Sequence, residues 1–343
     1  MRVALREAAR GTGQTSPNPA VGALIVSGGK ILARGFHHAV GQPHAEIEAL
    51  HALRKNEHAR GATLYVTLEP CSTRGRTPPC VDAIVAAGFA RVVIGAIDPN
   101  PAHAGRAVNI LRRHRIAVTL GVLEAECREL NVFFNKWIVT KTPFVIAKAG
   151  MSLDGRITRP VSEGPGITGP AARARVHRLR AQVDAILIGG ETLRLDDPQL
   201  TVRGVRGARQ PMRVIVSKSG KLPVHARVFQ DMHKDRTLVY AGKSLRAVLR
   251  DLGRRDITSV LIEGGMRTLG EAFDHRLVDR VEFHVAPLLL AGPKVAVGGR
   301  GAGSTLESAR LANPRYERHG GDLVLSGDVV YDSPKSITPA SAA

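Results

Sequence analysis

Three residues able to hold a metal stand in two short stretches of the chain. His44 lies in Pro43-His44-Ala45-Glu46, while Cys71 and Cys80 end Glu69-Pro70-Cys71 and Pro78-Pro79-Cys80. One ion can be bound by all three only if the fold returns these segments to a single point. The hydrophobic spacing is compatible with that. From His44 to about Lys55, Ile47, Leu50 and Leu53 recur on one helical face, so His44 and Glu46 share a first turn and face one pocket. Cys80 follows two prolines and opens the next helical pattern, to Ala87, which Gly88 closes. At a helix N-terminus the dipole favours a thiolate.

Two thiolates and one imidazole make three protein ligands. A structural zinc closes its fourth position with another residue, whereas a catalytic zinc keeps it open for water. No fourth Cys or His follows Cys80 at ligand spacing. Zinc lowers the pKa of its water towards ~7. Glu46 is then placed as the acid/base that moves the proton. The ordered set of His-x-Glu, Pro-Cys and a second Cys is similar to the signature of zinc deaminases, which remove an amino group from a base-like ring by hydrolysis. Cys127 has no such neighbours and reads as structural. Nucleic-acid deaminases have two residues between their cysteines. Here eight stand there, Ser72 to Pro79, with Arg74 and Arg76 among them, which suits a loop over a phosphate.

The 343 residues suffice for two domains. Aromatics make up 4%, so the core must be built from Ala, Val, Leu and Ile. Three cysteines argue against a disulfide framework and for a reducing compartment, here taken as the cytoplasm. No signal-peptide pattern is seen, and the apolar runs are too short to span a bilayer. The net charge of +19 attracts polyanions or phosphorylated metabolites. The basic residues are scattered and no aromatics interleave with them, so nucleic acid is not the expected partner.

Strand and helix patterns alternate throughout, giving an α/β class. In the first part, strands are expected at 20–26 and 30–35, as a hairpin around Ser27-Gly28-Gly29, and at 62–68 and 91–97. A helix is expected from Glu124 to about Thr140. Lys141-Thr142-Pro143 breaks that pattern and sets a boundary, giving domains 1–141 and 142–333 and a disordered tail at 334–343. In the second domain, strands are expected at 144–149, 185–189, 213–217, 237–241, 259–263 and 280–285. Helices are expected at 171–181, 245–252 and 269–275, with a closing hairpin around Ser326-Gly327-Asp328. Gly164-Pro165-Gly166-Ile167-Thr168-Gly169 fits a dinucleotide fingerprint literally, but follows no convincing strand, and Pro165 removes a donor.

Over nearly its whole length the chain resembles the bifunctional riboflavin-biosynthesis deaminase–reductase family. The deaminase motifs are Pro17-Asn18-Pro19-Ala20-Val21-Gly22, His44-Ala45-Glu46, Leu68-Glu69-Pro70-Cys71, Gly75 to Cys80 and Asp98-Pro99-Asn100-Pro101. The reductase motifs are Ser152-Leu153-Asp154-Gly155, Leu179-Arg180-Ala181, Asp196-Asp197-Pro198, Leu200-Thr201-Val202-Arg203 and Ile262-Glu263-Gly264-Gly265. The resemblance implies a cytidine-deaminase-like α/β/α domain followed by a dihydrofolate-reductase-like α/β domain, one Zn2+ per chain, NADPH as cofactor, and a cytoplasmic homo-oligomer. It implies deamination of a phosphoribosylated pyrimidine, 2,5-diamino-6-(5-phosphoribosylamino)pyrimidin-4(3H)-one, then reduction of its ribosyl group to ribityl. His44, Cys71 and Cys80 match the metal ligands and Glu46 the catalytic position. Asn18, His37, Lys148, Arg180, Leu200, Arg203 and Glu263 match substrate positions. Gly150, Thr192, Asp196 and the run Gly265, Met266, Arg267, Thr268, Leu269, Gly270 and Glu271 match cofactor positions.

Four places depart from the family pattern. Thr73 stands where His is usual, which is expected to weaken substrate binding or rate, and Ile47-Glu48 replaces Val-His. Gly166 stands where Trp is usual, and Glu191 puts a carboxylate beside the cofactor. The first helix is expected to be largely missing. Gly166 and Glu191 favour an alternative, a diverged relative that deaminates only. A nucleic-acid base deaminase is opposed by the cysteine spacing, and a zinc-stabilised binding protein by Glu46.

Overall fold

A computed structural model of the protein describes residues 1–73, 78–157 and 166–331. They form two units. One holds Met1–Pro143 with Gly253–Thr258, and the other holds the remaining described residues. The expected tail at 334–343 lies outside the described residues, as do Arg74, Gly75, Arg76, Gly164 and Pro165.

The first unit runs α1 (Arg2–Ala9), β1 (Gly22–Ser27), β2 (Lys30–Phe36), α2 (Ala45–His51), β3 (Thr63–Leu68), α3 (Cys80–Ala87), β4 (Arg91–Ala96), α4 (Arg106–Arg113), β5 (Ala117–Thr119), α5 (Glu124–Leu130) and α6 (Val132–Thr140). Its sheet has the order β2-β1-β3-β4-β5. The expected hairpin forms β1 and β2, with Gly28 and Gly29 both at positive φ. β3, β4 and β5 are parallel. Helices on both faces bury β3 and β4, which is why these two read as continuous apolar runs. Ile25, Leu64, Val66, Ile84, Ile94 and Leu111 are fully buried between the layers.

Close backbone contact seats the helices on the sheet. A Cβ at Gly35 of β2 would lie 2.3 Å from the Ala45 carbonyl oxygen and 2.3 Å from the Ala49 nitrogen. Only glycine lets α2, the helix that follows His44, press so near.

One expectation is corrected in this unit. The helix expected from 124 to 140 is two helices. Between them the Asn131 amide accepts from the Ala20 N–H at 2.8 Å and donates to the Ala20 carbonyl at 2.9 Å. An asparagine engaged with distant backbone does not favour an unbroken helix. α1 is an eight-residue helix that buries Ala4, Glu7 and Ala8. α4 and β5 had not been expected. α4 is strongly amphipathic, with Ala107, Val108 and Leu111 buried on one face of an arginine-rich helix.

The second unit runs β6 (Phe144–Ser152), α7 (Pro170–Arg180), β7 (Ala185–Gly189), α8 (Gly190–Asp196), β8 (Met212–Ser217), α9 (Arg227–Gln230), β9 (Thr237–Ala241), α10 (Leu245–Arg254), β10 (Ser259–Ile262), α11 (Met266–Asp274), β11 (Arg280–Ala286), β12 (Arg310–His319) and β13 (Asp322–Val330). The sheet order is β12-β13-β11-β6-β10-β7-β8-β9. From β11 to β9 neighbouring strands are parallel. Arg213 of β8 is 1% exposed, and its guanidinium is forked onto Asp231 at 2.6 and 2.9 Å.

The closing hairpin does not turn at Ser326-Gly327-Asp328. Those residues lie inside β13, paired with β11 and β12, and the turn falls at Gly320-Gly321, with Gly320 at φ 68°. Gly327 sits beside a register shift. A Cβ there would be 3.2 Å from the Ala312 carbonyl oxygen, so this glycine serves close approach of two strands rather than a turn.

Candidate active sites

The ligand set converges in the first unit. His44 is the extended N-cap residue of α2, Cys71 follows β3, and Cys80 opens α3. The His44 Nδ1 lies 3.2 Å from the Cys80 Sγ and 3.6 Å from the Cys71 Sγ. The Cys80 N–H donates to the Cys71 sulfur at 3.2 Å. All three ligand atoms lie within 4.8 Å of one another. Bonds of ~2.3 Å to sulfur and ~2.0 Å to nitrogen imply a tetrahedral N···S edge of roughly 3.5 Å, so the donor set fits zinc.

The charges around this point are coupled. The Cys71 thiol is pulled down to about 4, first by the hydrogen bond it accepts from Cys80 and then by His44. The same bond pushes the Cys80 thiol up. Glu46 is 3% exposed, and its carboxyl is pushed up to about 7, first by burial and then by the Cys71 charge. A carboxyl poised there can both take and give a proton at neutral pH.

Asn18 and His37 join this site. The His37 Nδ1 contacts the Pro43 carbonyl oxygen at 3.0 Å and must be the donor. Its Nε2 is then free to accept from the Asn18 amide at 3.1 Å. Burial, the largest cause, also holds His37 below the usual imidazole range, so the ring is neutral. It meets the His44 ring edge-on, with centroids 5.2 Å apart.

Glu69 is a residue whose role the sequence did not disclose. Its buried carboxylate accepts from the N–H groups of Gly105 at 2.9 Å, Ala107 at 3.0 Å and Asp98 at 3.3 Å. It thereby ties the start of α4 and the Asp98–Gly105 loop to the segment that carries Cys71. The only signal was its place beside Pro70-Cys71. In the same loop, His103 lies 3.4 Å from both the Ser72 and the Thr73 hydroxyl oxygens, so the position where the family has His is here a threonine with an imidazole beside it.

A cavity of about 460 Å³ opens in the second unit. The substrate positions expected there, Lys148, Arg180, Leu200, Arg203 and Glu263, all line it. So do Gly150, Thr192, Asp196 and Gly265 to Leu269 on the cofactor side. Gly270 and Glu271 do not. A Cβ at Gly270 would be 2.5 Å from the Gly298 backbone, and the Glu271 carboxylate accepts from the Leu245 N–H at 2.9 Å. Both positions serve packing around α11.

Arg180 and Glu263 form a forked pair at 2.6 and 2.9 Å, and Arg180 also donates to the Thr201 carbonyl at 2.9 Å. Burial would raise the Glu263 carboxyl, but the Arg180 charge and hydrogen bonds, with help from Lys148, hold it down at about 2. Burial lowers the Lys148 amine below its usual range, against the pull of Glu263. The Lys148 Nζ lies 3.9 Å from where a Cβ at Gly150 would stand, and Thr192 Oγ1 accepts from the Gly265 N–H at 3.2 Å. Burial raises the Asp196 carboxyl, opposed by Lys294. Gly166 lines the cavity, and among the described residues no atom is found within 4 Å of its would-be Cβ. Glu191 lines it too and faces Arg267 and Lys294.

Known proteins are similar to this chain in sequence and fold. A family model described as the cytidine and deoxycytidylate deaminase zinc-binding region matches residues 1–96, and one described as the RibD C-terminal domain matches 143–325. The riboflavin biosynthesis protein RibD of Aquifex aeolicus is 37% identical, over 95% of this chain and 96% of its own. That of Escherichia coli is 40% identical, over 84% of this chain and 87% of its own. The structure of Acinetobacter baumannii RibD, form 1, superposes with a TM-score of 0.88 at 35% identity, covering 96% of this chain and 97% of that one. The Thermotoga maritima diaminohydroxyphosphoribosylaminopyrimidine deaminase/5-amino-6-(5-phosphoribosylamino)uracil reductase gives 0.86 at 37% identity, covering 96% of this chain and 97% of that one. With relatives of this identity along nearly its whole length, the chain belongs to the RibD family of riboflavin-biosynthesis deaminase–reductases.

Proposed function

We propose that this chain performs two consecutive steps of riboflavin biosynthesis. Residues 1–141 deaminate 2,5-diamino-6-(5-phosphoribosylamino)pyrimidin-4(3H)-one by hydrolysis, and residues 142–333 reduce the ribosyl group of the product to ribityl. The observation that carries this reading is the meeting of His44, Cys71 and Cys80 beside the buried carboxyl of Glu46.

His44, Cys71 and Cys80 would hold the zinc, which when bound would acidify a water towards ~7. Glu46 would take a proton from the attacking water and give it to the ring nitrogen, then take the remaining hydroxyl proton as the carbonyl forms and give it to the amino group, which departs as ammonia. Asn18 and the neutral His37 hold the pyrimidine's polar edge.

In the second unit, Arg203 offers its guanidinium to the phosphate end of the substrate, and Arg180, whose fork is held by Glu263, adds its positive charge beside it. Lys148 and Glu263 hold its polar groups within the cavity, beside Leu200. Gly150, Thr192, Asp196 and Gly265 to Leu269 form the cofactor wall. NADPH supplies the hydride. The Gly264–Gly265 backbone lets a phosphate come close to the start of α11. No helix among the described residues is long and apolar enough to cross a membrane. The setting we infer is a cytoplasmic homo-oligomer, which sedimentation of the purified protein tests.

The decisive experiment follows ammonia and NADPH in one sample. One ammonia released and one NADPH oxidised per substrate is the expected outcome. Ammonia without NADPH oxidation would leave only the first activity.

A further inference from the structure

The cavity of the second unit is lined by more cations than carboxylates, and Glu191 is the lining carboxylate that stands between two of those cations, Arg267 and Lys294. Glu263 is forked onto Arg180, whereas the Glu191 oxygens stand 3.7 Å from the Arg267 Nη1 and 3.8 Å from the Lys294 Nζ. These separations exceed hydrogen-bond range, so the three charges attract without locking. The Glu191 side chain is 50% exposed and hydrated, so it separates from the two cations at little cost. It adjoins Thr192, whose hydroxyl receives the Gly265 N–H, so it faces the same wall as the start of α11.

We propose that Glu191 sets the cofactor affinity of this chain by competing with the cofactor's phosphates for Arg267 and Lys294. This rests on reading Thr192 and Gly265 to Leu269 as the cofactor wall. A phosphorylated dinucleotide brings several negative charges to that wall. Each gains less from Arg267 and Lys294 than it would without Glu191, and each also meets the repulsion of its carboxylate. A surface ion pair that merely steadied α8 would change stability and leave binding alone.

The test is titration of NADPH into the full-length protein without pyrimidine, read by nucleotide fluorescence. Glu191→Gln and Glu191→Ala are each expected to bind NADPH about fivefold more tightly at low salt. The gain should shrink as ionic strength rises, because salt screens exposed charges. In an Arg267→Ala/Lys294→Ala background, Glu191→Gln should add less than in the wild type, since the competed cations are gone and only the carboxylate's own repulsion is removed. Equal or weaker NADPH binding by both Glu191 variants, with the wild type binding normally, overturns the proposal. Absence of NADPH binding by the wild type instead removes the cofactor-wall reading, and this inference with it.

Discussion

At the scale of single residues, role follows from what surrounds the side chain. Glu46 is not within the ligand set, so Glu46→Gln is expected to keep about one zinc per chain and lose roughly 10²- to 10⁴-fold in ammonia release. Metal analysis beside the rate checks both halves, and normal deamination by this variant would refute the assigned acid/base. Glu46 was legible because its spacing from His44 is a motif. Glu69 was not, because its partners are backbone N–H groups that arrive from 29 to 38 residues away. Glu263 gives a pH prediction. Its folded pKa, about 2, lies below the ordinary 4.5. Its stabilisation is therefore complete above the ordinary value and is lost as pH falls from about 4.5 towards 2. The gap corresponds to about 3 kcal/mol. In urea melts, Glu263→Gln should lie furthest below the wild type at pH 7 and approach it near pH 3. A difference independent of pH would remove the assigned pairing.

At the scale of elements, the catalytic helix depends on a glycine distant in sequence from the ligands it serves. The atoms that would meet a Cβ at Gly35 belong to the backbone of α2, which cannot rotate away as a side chain can. Gly35→Ala should therefore lift α2 from β2 and displace His44 and Glu46 together. A destabilisation of about 1–3 kcal/mol is expected, with weaker zinc retention against a chelator. Unchanged zinc retention would show that His44 keeps its place without this contact. Elements with strong periodicity, such as β3, α3 and β10, were legible from the sequence. The failures share a cause: Asn131 splits a helix and Gly327 sits inside a strand because of distant partners, Ala20 in one case and Ala312 in the other. Local spacing carries no record of such partners.

At the scale of the whole molecule, two chemistries occupy two separately folded units, and the sequence announced this through two ordered motif sets either side of Pro143. The metal ligands all belong to the first unit, and no described residue of the second joins a metal cluster. The two activities should therefore part on zinc removal. A chelator that strips the metal abolishes ammonia release, because Glu46 then has no acidified water to deprotonate. NADPH oxidation with substrate already deaminated should continue at close to its former rate, since the Arg180–Glu263 pair and the cofactor wall owe nothing to the ion. Re-addition of zinc should restore ammonia release, provided the first unit holds its fold through Ile25, Leu64, Ile84 and Ile94 rather than through the metal. Parallel loss of both rates on chelation would mean that the metal supports more of the molecule than the site it occupies.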